Sequence, residues 1–127
     1  MKQQSGFTLI ELVMVIIILG ILAATAMPKF VNMKEDAAIA ALKGVAGGLS
    51  SANTTNYAAR SLNAVSGVPI ADCSDVANAI EGALAAEYAI TASAIVAGQS
   101  GSCTLTSTEV SATSPSSAVT FTVTGVN

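Results

Sequence analysis

From Phe7 to Met27 the chain reads FTLIELVMVIIILGILAATAM, an apolar run that holds one charge, Glu11, and closes at Pro28. As a helix rising about 1.5 Å per residue, these 21 residues reach about 31 Å, enough to cross a bilayer core. The stub before the run, Met1 to Gly6, is polar and carries Lys2. A Lys-bearing start ahead of a long apolar run orients with the stub cytoplasmic and the residues after Pro28 facing outward. A secretory signal competes with this reading: Leu12 to Leu22 would be its apolar region, and Ala24-Thr25-Ala26 fits a small-x-small cleavage site. Glu11 and the thin positive start count against it.

Beyond Pro28 the pattern turns amphipathic. Ala38, Leu42, Val45, Leu49 and Ala52 recur at steps of four, three, four and three, which draws one apolar stripe on a helix. Lys34, Glu35, Asp36 and Lys43 mark where the helix leaves the apolar environment, and Gly44 and Gly48 offer a small face for close approach. A helix from Phe7 to about Asn56 would be about 75 Å long. Gly67-Val68-Pro69 reads as a turn. Asp72 or Ser74 then caps a short second helix whose stripe is Val76, Ile80, Leu84 and Tyr88. After Gly98, Cys103 to Thr106 and Val119 to Thr124 alternate apolar and hydroxyl side chains, the period of strands with one buried face, and Ser114-Pro115-Ser116-Ser117 supplies a turn. The predicted fold is α+β: a long hydrophobic spine helix and a small head of one short helix and a two- to four-stranded antiparallel sheet.

Composition narrows the chemistry. The 127 residues leave room for one small domain and one membrane segment. Net charge is −3, and from Glu35 onward seven acids face only Lys43 and Arg60, so nucleic acid finds almost no basic surface. The chain has no histidine, which removes His-dependent catalytic sets and the common zinc ligand sets. No catalytic, cofactor or metal residues are expected.

Gly6-Phe7-Thr8-Leu9-Ile10-Glu11, the apolar run behind it and Pro28 together resemble the class III leader and N-terminal helix of type IV pilins and of the pseudopilins of type II secretion. The likeness is dense from Ser5 to about Phe30, and within the family it looks most like the mannose-sensitive haemagglutinin type of pilin. It implies a leader, 1–6, removed between Gly6 and Phe7 by a prepilin peptidase that methylates the new amine of Phe7. It also implies a membrane or filament-core segment, 7–27, an amphipathic half-spine, 28–60, and a head, 61–127. The subunit would wait in the inner membrane and be assembled by pilus or type II secretion machinery into a helical homo-oligomer, an extracellular pilus or a periplasmic pseudopilus.

The resemblance gives Glu11 the role of an assembly residue that pairs with a neighbour's Phe7 amine. By itself, the macrodipole accounts for a carboxylate in the first turn, but not for a charge at the edge of a hydrocarbon run. Gly20 and Pro28 are expected to interrupt the helix, since glycine lowers helix propensity and proline removes an N–H, although both are common in membrane helices. Cys73 and Cys103, the only cysteines, are read as a disulfide in an outward-facing head. The alternative, a redox-active pair, lacks both CxxC spacing and a basic neighbour. Asp72 and Asp75 suggest either a calcium site or simple capping, and Asn53-Thr54-Thr55 matches a glycosylation triplet. Phe7, Phe30 and Tyr57 lie about 35 Å or more apart by helical rise, too far for an aromatic path within one subunit.

Overall fold

The computed structural model describes residues 6–127. Helix α1, Leu9–Leu62, is 54 residues long and contains Pro28. The interruption expected at Gly20 and Pro28 is therefore absent from the isolated subunit. One glycine costs about 1 kcal/mol and one proline about 3 kcal/mol in a helix interior, which a helix this long and apolar absorbs. In the turn before Pro28 the Thr25 hydroxyl donates to the carbonyls of Ile21 at 3.3 Å and Leu22 at 3.0 Å.

The chain divides into two units after Lys34. In the first, α1 is apolar without any cover: its most apolar 18-residue window has mean hydropathy 2.7, and none of it is buried. That is one helix long and apolar enough to cross a membrane.

The second unit begins at Glu35. Here the stripe on α1 turns inward, with Leu42, Ala46 and Leu49 buried against Ile70, Val76, Leu105 and Val123. Three strands form an antiparallel sheet in the order β1 (Tyr88–Ile90), β2 (Ser100–Ser107), β3 (Ala118–Thr124). Cys103 pairs with Phe121 and Gly101 with Val123, and Cys103, Leu105, Phe121 and Val123 all point into the core, while Thr120 and Thr122 are exposed. The alternation expected for the two longer strands holds. A turn with Ser114 N–H on the Ser111 carbonyl and Ser117 N–H on the Ser114 carbonyl leads into β3.

The expected second α-helix is corrected by the structure. Only a seven-residue 3₁₀ helix, Cys73–Ala79, forms, capped by Asp72, and Ile80 already has extended backbone angles. Gly82 follows at φ +90°, a left-handed conformation that no right-handed helix continues through. Ile80, Leu84 and Tyr88 still pack against the core, but as a linker and the start of β1. A four-residue step fits a helix and an even step along a strand equally well, so periodicity alone misassigned them.

Gly67, in the expected turn, has φ +76°, and a Cβ there would collide with Asn56 Oδ1 and crowd the Arg60 side chain. Gly82 has a similar φ, but the space around it is open. Gly67→Ala is therefore expected to destabilise the head by about 3 kcal/mol and Gly82→Ala by about 1 kcal/mol, since left-handed backbone alone costs 1–2 kcal/mol for a residue with a side chain. Denaturant unfolding of the detergent-solubilised chain measures both, and equal losses would show that the Asn56 contact is irrelevant.

Candidate assembly site at the start of the apolar helix

Gly6 and Phe7 precede the helix, and Phe7 is 77% exposed. Thr8 is the residue before the first helical position, and Glu11 is the third residue of the helix. The Thr8 N–H donates to Glu11 Oε2 at 2.8 Å, and the Thr8 hydroxyl donates to the same oxygen at 2.7 Å. In return the Glu11 N–H reaches the Thr8 hydroxyl oxygen at 3.4 Å. This is a reciprocal capping box, which satisfies two of the backbone donors that every helix start leaves open. The Thr8-x-x-Glu11 spacing spells it out, and a reading of Glu11 through the dipole alone missed it. Both bonds use Oε2, and Oε1 has no hydrogen-bond partner among the described residues. The arrangement offers one exposed carboxylate oxygen, four residues from the Gly6–Phe7 peptide bond, at the mouth of an uncovered apolar helix.

In the head, the cysteines are brought together. Cys73, at the start of the 3₁₀ helix, and Cys103, on β2, form a disulfide with Cα atoms 5.6 Å apart, and both are 1% exposed. Asp72 and Asp75 are used locally. Asp72 Oδ1 accepts from the Ser74 N–H at 2.9 Å and the Ser74 hydroxyl at 2.7 Å, while Asp75 Oδ2 accepts from the N–H groups of Ala71 and Asp72. The Ser74 bonds, the backbone one first, hold the Asp72 carboxyl below its ordinary range. No group of three or more metal-ligating side chains occurs among the described residues.

Two buried asparagines were not foreseen. Asn53 and Asn56 extend the apolar stripe of α1, at 2% and 5% exposure. Asn53 donates to the Thr124 carbonyl at 3.1 Å and accepts from the Thr124 N–H at 2.7 Å; Asn56 makes the same two bonds with Val68, both at 2.7 Å. One turn further on, Arg60 donates from Nε to the Asn127 carbonyl and from Nη1 to the Gly67 carbonyl. Each amide thus acts as a short strand edge, pairing backbone that would otherwise be stranded beside the helix. In the Asn53-Thr54-Thr55 triplet the Asn53 amide nitrogen is therefore bonded inside the core. Asn53→Leu is expected to lower head stability by about 3 kcal/mol, since it leaves both Thr124 groups buried and unpaired, while Thr54→Ala, on the exposed face, changes it by less than about 0.5 kcal/mol. Parallel denaturant titrations of the two variants check this.

Residues 1–27 match the prokaryotic N-terminal methylation motif. The chain is 49% identical over 43 residues to type II secretion system core protein G of Pseudomonas aeruginosa, covering 34% of this chain and 30% of that protein. It is 41% identical over 70 residues to the type IV narrow pilus major component PilA5 of Thermus thermophilus, covering 55% and 56%. It is 45% identical over 56 residues to a fimbrial protein of Moraxella nonliquefaciens, covering 44% and 36%. These matches span roughly a third to a half of the relatives' lengths. No solved structure matches. The methylation motif thus falls on the start of the capped, uncovered apolar helix, and the disulfide lies in the head. The chain is similar over its N-terminal part to proteins named for both type IV pili and type II secretion.

Proposed function

We propose that the chain is the structural subunit of an extracellular type IV pilus serving adhesion or surface motility. One observation carries this reading: an 18-residue apolar window with no buried part, entered through an exposed carboxylate. Such a surface needs cover, first lipid and then other copies of the same helix. The leader 1–6 is removed after Gly6 by a prepilin peptidase, Phe7 is methylated, and Glu11 meets the Phe7 amine of a neighbour, with Gly20 and Pro28 as the points where the helix yields during packing. The similarity to the type IV narrow pilus component, over 55% of this chain, supports the pilus branch. The similarity to secretion protein G favours a second reading, a pseudopilin of a periplasmic filament.

Intact-mass measurement of cell-surface material is expected to give a mature chain that begins at Phe7 with one added methyl group. A chain beginning at Met27 would overturn the reading and indicate a secreted domain released after Ala26. Shearing separates the two filament readings: long sheared filaments mark a pilus, cell-associated periplasmic material a pseudopilus.

A further inference from the structure

Asp36 and Lys43 stand seven residues apart on α1, and both are exposed. Seven residues make nearly two turns, so the two charges share a face about 10.5 Å apart along the axis, too far to pair within one helix. Neither makes an ion pair or side-chain hydrogen bond among the described residues. Ala40 lies between them and is exposed, and around Gly44 and Gly47 an added Cβ would meet nothing within 4 Å. The face is low enough for another helix to come close, and its two charges are opposite in sign.

We propose that Asp36 of each copy pairs with Lys43 of the next copy, with the two α1 helices parallel and displaced by seven residues, about 10.5 Å. This rests on the filament reading, in which every copy enters the membrane in the same orientation, so neighbours run parallel. Parallel copies without displacement would set like charge against like. A seven-residue displacement sets Asp36 of one copy level with Lys43 of its neighbour, replacing repulsion by attraction, and so selects a stagger. Exposed charges normally only solvate a helix; here charge complementarity between copies gives them an axial register.

The test uses full-length subunits in cells lacking the wild-type chain. Asp36→Lys alone and Lys43→Asp alone are each expected to lower sheared-filament yield by about tenfold, because repulsion replaces attraction at every contact. Co-expression of the two variants is expected to restore the yield, since each then supplies the charge the other lacks. In otherwise wild-type subunits, Asp36→Cys combined with Lys43→Cys should give an oxidised ladder of multimers. Normal yields from either single variant, no rescue in the mixture, or cross-linked products that stop at dimers would overturn the proposal. Failure of the wild-type chain to form any filament would instead overturn the filament reading beneath it.

Discussion

Subunits carrying Glu11→Gln are expected to insert, lose their leader and keep a normal helix start, yet form no filaments when they are the only subunit. Glutamine retains an oxygen able to accept from the Thr8 N–H and hydroxyl, so the capping box of the isolated subunit survives. Only the charge is lost. In a filament core the local dielectric is low, so a carboxylate facing a neighbour's amine is worth more than a surface pair, and removing one partner leaves the other charge buried at a cost of about 3–5 kcal/mol. Glu11→Ala loses the box as well, at about 1 kcal/mol, and is expected to fail in the same way. It should still insert in the membrane slightly better than wild type. Beside wild-type subunits a small fraction of either variant co-assembles, because each still offers its own amine. Electron microscopy of sheared material and immunoblots of processed subunit measure both steps. Abundant filaments built from Glu11→Gln alone, with none from Glu11→Ala, would show that Glu11 acts only as a helix cap.

Loss of the Cys73–Cys103 bond is expected to lower head stability by roughly 3 to 4 kcal/mol, because the bridge closes a loop of about 30 residues whose freedom in the unfolded chain would otherwise return. The bond joins the 3₁₀ helix to the central strand β2, both of whose neighbours depend on its position. For a small head with few aromatics this is a large share of the total. The thermal midpoint of the reduced chain, or of a chain with both Cys73→Ala and Cys103→Ala, should fall by about 15 °C or more. Cys73→Ser should accumulate poorly in cells. Peptide mapping of purified filaments that recovered both thiols free would refute the bond's role.

The long helix, the apolar run, the paired cysteines and the two long strands were legible in the sequence because each is a local signal: a run length, a period or a count. The Thr8–Glu11 capping box was equally local and was there to be read. The second helix was misassigned because its four-residue period ends at a glycine whose left-handed backbone is invisible in composition. Gly20 and Pro28 do not break α1 in the single subunit, because a helix is cooperative and the surrounding turns hold them.

By itself, then, the sequence determined the apolar helix, its single carboxylate and the alternation of the strands. Only the tertiary structure decided that Asn53 and Asn56 are core residues, that Tyr88 opens a strand, and that Gly67 must remain glycine. The physical reason is distance along the chain. Asn53 is buried because Thr124, 71 residues away, needs its N–H and C=O paired where α1 runs beside β3. No window around Asn53 contains that requirement, and a polar side chain in an apolar stripe becomes intelligible only when the backbone it completes is folded against it.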